Sequence, residues 1–388
     1  MDRPTIYLDN MAATRLDERV LDAMRPYFFD SYAVATSQFG YSLGIAARDA
    51  LEAARAAVAE RLGASTDEIV FTSGSTESTN MALKGAAAAL SQKRGRHLIT
   101  TAVEDFPVLQ SLRALERGGY ELTMLPVDAH GSVNPADLAN ALRDDTALVS
   151  VQQANQEIGT LQDLAALADL AHQAGALVHV DATYGWPRVP LKLDALPVDL
   201  VSLTTALAHG PRGVGAMYVR EGTPLQKWMD GGFQEDNRRG GPEDIAGAVG
   251  FAAAMDLVDA DETQRLRLLR DTLEARLLGV PHTVLNGHPQ RRVPTLSNVS
   301  FRFVEGESIL LHLDMRGIAV STGSACFSRS LEASHVILAI GGNHERAHGS
   351  VRLSLGRYNQ ESDVDAVASA LSEVVARLRE ISPLGKEV

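Results

Sequence analysis

Cysteine is almost missing from this chain: Cys326 is the only one in 388 residues. A lone thiol excludes an internal disulfide framework and any Cys-x-x-Cys metal site built from this chain alone. Whatever Cys326 does, it does alone or with a partner molecule. Long apolar runs are missing too. No stretch approaches the roughly 18 apolar residues of a membrane span, and the opening MDRPTIYLDN lacks the apolar core of a signal peptide. No membrane association is expected, and the cytoplasm is the expected compartment. Positive charge is short as well, with 36 Lys+Arg against 49 Asp+Glu and a formal net charge of −13. That balance disfavours a broad grip on nucleic acid or anionic lipid. The short basic clusters, KRGR at 93–96 and Arg238 with Arg239, read as solvated loop charge.

What is present is the composition of an ordinary globular protein, 45% hydrophobic and 22% charged. The length exceeds one typical core and predicts a larger and a smaller domain. The run 46–62 has helical apolar spacing and stops at Gly63, a residue suited to a left-handed helix end. A β-prone strand follows at 69–72, then a small-residue turn at 73–76 and a helix opening at about Glu77, an arrangement able to hold an anion. The alternation recurs in ALVSVQQANQEIGTLQD with the helix LAALADLAHQAG, and in ALVHVDATYG, whose apolar strand ends on Asp181. Apolar strands alternating with helices predict an α/β fold with a mostly parallel, helix-covered sheet. Sites in such sheets gather at the carboxyl ends of the strands, where Thr76, Asn155 and Asp181 fall. After about Met255 the pattern changes to a long charged helix, the strands LSNVSFRF and SVRLSLGR, and a closing helix ESDVDAVASALSEVVARLREI. The expected division is a large domain at 15–255 and a smaller α+β domain at 256–388, joined by 1–14 and carrying Cys326.

These motifs have a family. From YLDNMAATRLDERV through FTSGSTES, NQEIG, HVDAT, GPRGVGAMYVR, LSNVSF, GESILLHLD and STGSACFS to SVRLSLGR, the chain resembles class I cysteine desulfurases of the NifS/IscS type. These belong to the fold-type I, aminotransferase-like superfamily that binds pyridoxal phosphate. The resemblance implies a lysine Schiff base, a cofactor ring acting as electron sink, and a cysteine that takes sulfur as a persulfide. It also implies a homodimer, and an IscU-like scaffold or another sulfur acceptor as partner. By the same resemblance Asp181 matches the acid at the pyridinium nitrogen, and Thr76 and Thr204 match phosphate-binding hydroxyls. Asn155 and Arg352 match groups that hold the substrate carboxylate, and Cys326 matches the persulfide cysteine. Taken singly, an Asp after a strand is usually a cap, a lone Arg a surface ion pair and a lone Cys a small buried apolar side chain. The ordered set turns those readings around for Cys326 and Arg352.

The cofactor lysine itself is missing. Counted back from Gly210 and Pro211, the family's His-Lys pair falls on Ala206 and Leu207, and Lys227 lies beyond the next strand. Three further pocket positions differ: Asp105 stands for the ring-stacking histidine, Tyr184 for a ring-contacting glutamine, and Pro242 for a phosphate-binding threonine. The expectation is a degenerate desulfurase homologue in which pyridoxal phosphate is not a covalent cofactor. Cys326 then works in sulfur transfer, or as the ligand that completes an iron–sulfur cluster shared with a scaffold. The alternatives are a desulfurase using noncovalently bound pyridoxal phosphate, a non-catalytic partner of an active paralogue, and a pocket reassigned to another ligand around Tyr184, Trp186 and Asp105.

Overall fold

The computed structural model describes residues 5–37, 39–323 and 332–382; Cys326 therefore lies outside the described residues. The expected α/β architecture is found. A seven-stranded sheet is built from β2 (Ile69–Thr72), β3 (His97–Thr101), β4 (Glu121–Leu125), β5 (Thr146–Gln152), β6 (Leu177–Asp181), β7 (Leu200–Leu203) and β8 (Gly215–Val219). They lie in the order β2-β8-β7-β6-β5-β3-β4. Only β8 opposes the rest, pairing antiparallel with β2 and β7. The carboxyl ends of the other six therefore open along one edge.

The period-two pattern of these strands sorts side chains into two cores. Phe71, Ile99, Val149, Val178 and Val201 join one core with helices Ser42–Leu62, Leu164–Gln173 and Ile245–Asp256. Their neighbours Val70, Leu98, Leu148 and Leu200 face helices Ser75–Leu90 and Phe106–Arg117 on the other side. Each fully buried aliphatic side chain contributes about 1.5–3 kcal/mol, so a double-faced sheet is the dominant source of stability here. The first helix begins at Ser42 and the second at Ser75, four and two residues before the starts expected from the sequence. Helix Ser42–Leu62 ends on Gly63 at φ 70°, and a Cβ there would stand 2.9 Å from Asp194 Oδ1.

A third core sits between helices Ala260–Leu278, Gly306–Asp314 and Glu361–Ile381 and a small sheet of β9 (Thr283–Asn286), β10 (Leu296–Phe301) and β12 (Ser350–Ser354). The N-terminal strand β1 (Ile6–Tyr7) pairs with β11 (Ile318–Ala319) beside it. No described helix is long and apolar enough to cross a membrane.

One buried ion pair fastens the segment after β8 to the sheet. Arg55 donates to both oxygens of Glu235 at 2.6 and 2.8 Å and to the carbonyl of Ile69, while Glu235 also accepts from Phe71 N–H. Their side chains are 9% and 2% exposed. Arg55→Met is expected to lower the unfolding free energy by about 3 kcal/mol, because it leaves a buried carboxylate with too few donors. Chemical denaturation measures it, and a loss below about 1 kcal/mol would mean that the pair behaves like a surface one.

Candidate functional site

The open edge of the sheet collects most of the residues singled out in the sequence. Thr76 lies exposed in the first turn of helix Ser75–Leu90, and the neighbouring Glu77 takes the Ser73 N–H at 2.7 Å and pairs with Arg239 at 2.9 Å. Pro242 is exposed and brings no donor. Asp181 ends β6 fully enclosed, its Oδ1 accepting from Thr183 N–H at 3.0 Å and Thr183 Oγ1 at 2.5 Å. Burial pushes its carboxyl up to about 6, against the lowering effect of those hydrogen bonds.

Two of the substituted positions turn out to be a single contact. Tyr184 donates its hydroxyl to Asp105 Oδ2 at 2.7 Å, and Asp105 Oδ1 caps helix Phe106–Arg117 through Phe106 N–H at 2.8 Å. Burial, and then the Asp105 charge, hold the phenol well above its ordinary range, so it stays a donor. Glu104 beside them is fully buried; its Oε1 accepts from Thr101 Oγ1 and Gln152 N–H, and Oε2 has no partner among the described residues. Burial raises Glu104 to about 8, with the neighbouring carboxylates Asp181 and Asp105 adding to the rise.

The loop after β7 is tightly held. Thr204 Oγ1 accepts from Ala206 N–H at 3.1 Å, Thr14 donates to the Ala206 carbonyl at 2.7 Å, and Arg188 donates to the Leu207 carbonyl at 2.7 Å. Thr204 thus spends its hydroxyl oxygen on its own loop. The Leu207 side chain packs in an apolar cluster with Met11, Ala154, Val293, Leu296 and Tyr184. The space that Met11, Tyr184, Leu207 and Val293 leave beside Trp186 is about 10 Å³, about what one water needs. Among the described lysines, Lys192 bonds the Arg61 carbonyl, Lys227 bonds the Gly232 carbonyl and Asn237, Lys84 lies over the Trp228 ring, and Lys93 is exposed in the turn after helix Ser75–Leu90. None of these amines is at Leu207.

Asn155 and Arg352 come together on the far wall. Asn155 is already engaged: it accepts from Glu157 and Ile158 N–H within its own turn and donates to the Val103 carbonyl, 52 residues earlier. Arg352 pairs with Asp9 at 2.9 Å and donates to the Gln156 carbonyl at 3.2 Å; its buried Nε has no partner among the described residues. The sequence reading passed over Glu157, which stands between them and is 3% exposed. Its one signal was a carboxylate inside the NQEIG motif.

Residues 6–367 match the family model for class-V aminotransferases. The chain belongs to that family. It is 44% identical over 386 residues to a cysteine desulfurase IscS of Methanosarcina thermophila, spanning 99% of this chain and 95% of the relative. It is likewise 44% identical over 389 residues to a cysteine desulfurase IscS of Dictyoglomus turgidum, spanning 98% and 97%. A solved NifS-like protein shares the fold with a TM-score of 0.90 at 33% identity, over 96% of this chain and 100% of that one. The aminotransferase-like fold-type I architecture and the IscS-like character of the chain follow from these matches. In this family member the edge of the sheet carries a Tyr184–Asp105 hydrogen bond and a leucine where the resemblance places a histidine, a glutamine and a lysine.

Proposed function

We propose that this chain handles sulfur through the thiol of Cys326, in sulfur transfer or in iron–sulfur cluster assembly, without a lysine-bound pyridoxal phosphate. The likeness to proteins named cysteine desulfurases supports the sulfur-handling half of this reading. Leu207, packed among apolar side chains with no amine near it, is the observation that carries the other half.

On this reading the residues present do not fit the covalently held cofactor. A Schiff base needs an amine within bonding reach, whereas Lys84, Lys192 and Lys227 serve other contacts and Lys93 is exposed in a surface turn. A ring also needs open space and a stacking face, whereas Asp105 and Tyr184 bond each other. Pro242 removes one phosphate donor, and each charge-assisted hydrogen bond lost costs about 1.5–3 kcal/mol of binding. What is left is a thiol chemistry. A persulfide exchange needs a thiolate and a donor persulfide, and cluster ligation needs a soft thiolate presented to a scaffold.

A homodimer suits the surface. Phe28, Phe29, Tyr32, Phe39 and Tyr41 are exposed along 28–41, and Phe233 is 86% exposed. The two segments adjoin, since Ala35, Thr36 and Phe233 line one pocket. The proposed partners are a second copy of the chain on this face and an IscU-like scaffold or sulfur acceptor reached by Cys326.

The test is an absorption spectrum of the purified protein, repeated with pyridoxal phosphate and then with cysteine. The expected result is a protein that gains no protein-bound visible band at any stage and releases no sulfide. A band that survives desalting and shifts with cysteine would establish the noncovalent desulfurase instead.

A further inference from the structure

The loop after β7 leaves through His209, and each hydrogen-bonding group of that residue is used. Its N–H donates to Thr14 Oγ1 at 3.0 Å, and its carbonyl accepts the Asp17 N–H at 3.0 Å. On the ring, Nδ1 meets the Arg15 carbonyl at 2.9 Å and Nε2 meets the Arg357 N–H at 3.0 Å. A carbonyl only accepts and an amide N–H only donates, so these two partners assign the neutral Nδ1–H tautomer. The ring stands edge-on to Tyr358, 5.2 Å away at 87°. His209 is 1% exposed and sits at φ 66°, a left-handed conformation that a non-glycine residue keeps only where its surroundings over-determine it.

The partners of this one side chain come from separate parts of the chain. Thr14, Arg15 and Asp17 precede helix Glu18–Met24, which packs Val20 and Met24 against Ala246 and Ala254 of helix Ile245–Asp256. Arg357 and Tyr358 follow β12 of the small sheet. Thr14 Oγ1, which takes the His209 N–H, donates in turn to the Ala206 carbonyl. Charged side chains repeat the join around the ring: Arg357 donates to Asp17 and to Glu262, each at 2.6 Å, and Arg188 spans Glu262 and the Leu207 carbonyl. We propose that His209 is an acid-released latch: as a neutral imidazole it fastens the loop 204–209 at the sheet edge to the turn after β12, and it lets go when the ring gains a second proton. This goes beyond the sulfur-handling reading and does not depend on Cys326.

The second proton has one place to go. It falls on Nε2, the atom that accepts the Arg357 N–H, and turns that bond into two donors facing each other. Around the ring stand the cations Arg188 and Arg357, Arg15 over the Tyr358 ring, and the anions Glu262 and Asp17, the latter also paired with Arg19. Burial, and then the Arg188 charge, push His209 from its ordinary 6.5 down to about 4, with Arg357 adding to the fall; the Arg15 carbonyl and Glu262 work to raise it. Above about pH 6.5 neither the closed nor the opened latch binds the proton. Between about 6.5 and 4 the opened ring takes a proton that the closed ring refuses, so opening gains on closing by up to about tenfold per pH unit.

Amide hydrogen exchange of the full chain, resolved to residues by fragmentation mass spectrometry and corrected for the intrinsic effect of pH, reads the latch at the Arg357 N–H. For the wild type we expect steady protection there above about pH 6.5 and a progressive fall as pH is lowered toward 4, a fall that helix Phe106–Arg117 does not share. His209→Asn is the matching variant. Asparagine tolerates the left-handed backbone and keeps an amide for the Arg15 carbonyl, but it is too short to accept from Arg357 and has no proton to gain. Its Arg357 protection should be lower by about fivefold or more at pH 7, the factor that one lost hydrogen bond corresponds to, and the fall with acid should be gone. Wild-type protection of Arg357 in His209→Asn, or a fall with acid that persists in it, overturns the proposal. So does a loss in His209→Asn that spreads equally to helix Phe106–Arg117, since that reports general unfolding and not a latch. If His209→Asn fails to fold by circular dichroism, the wild-type profile decides, and a flat one overturns the proposal.

Discussion

Cys326→Ser is expected to bring sulfur acceptance by this chain to background, while Lys227→Ala, on a surface contact away from the sheet edge, leaves it unchanged. The chemistry needs no oxidant. The Cys326 thiolate attacks the terminal sulfur of a donor persulfide, the donor's S–S bond breaks, the donor leaves as its thiolate, and a new persulfide stands on Cys326. A serine hydroxyl is not ionised at neutral pH and has no comparable affinity for sulfane sulfur, so the loss is one of mechanism, not of degree. The measurement is intact-protein mass spectrometry after incubation with a persulfidated donor protein. With a single cysteine, a gain of one sulfur atom has one address. If cluster assembly is the destination, the same substitution removes a soft ligand, and a cluster held with a scaffold should be lost on mixing with the variant. Sulfur acceptance and cluster retention that both survive in Cys326→Ser would sink the reading.

How far the sequence carried this picture depends on where its information lies. The closing helix was legible to the residue, Glu361–Ile381, because Val364, Val367, Ala368, Leu371, Val374, Val375 and Leu378 recur at helical spacing and all are buried. The helix start at Ser42 was not, because Leu43 and Ile45, which it adds, are exposed and lie outside the apolar stripe. The opposed direction of β8 was equally hidden, since GAMYV is apolar throughout and a strand buried on both faces reads the same either way. At the site, Asp105 and Tyr184 each stood out as a departure from the family, but they are 79 positions apart and nothing local says that they bond each other. Asn155 matched the resemblance, yet its side chain is engaged by Glu157 and Ile158 N–H in its own turn and by the Val103 carbonyl 52 residues earlier, contacts that its motif alone does not announce. Glu157 was missed because the partner of its carboxyl, Ser334, lies 177 residues later. Local spacing wrote the elements; the contacts between distant loops had to be seen.

The buried carboxyls at the sheet edge give the second large effect, a stability that falls as pH rises. Glu104 titrates near 8 in the folded chain, raised first by burial, but near 4.5 when the chain unfolds. Below about pH 4.5 both states bind the proton and the group has no effect on the balance. Between that pH and about 8 the unfolded state releases the proton while the folded state keeps it, so fewer protons are bound on unfolding and stability drops with pH. Above about 8 both states have lost it and the slope flattens. A shift of this size corresponds to a loss on the order of 5 kcal/mol across the window, with Glu157 and Asp181, raised to about 7 and 6, pulling in the same direction. Glu104→Gln keeps an oxygen for Thr101 Oγ1 and Gln152 N–H and has no charge to bury. Urea denaturation at pH values on either side of the window should show a wild type much weaker on the alkaline side and a Glu104→Gln variant whose slope is flattened by most of that amount. A wild type equally stable at both ends would mean that Glu104 ionises in the folded chain near its ordinary value, with water reaching its unpartnered Oε2.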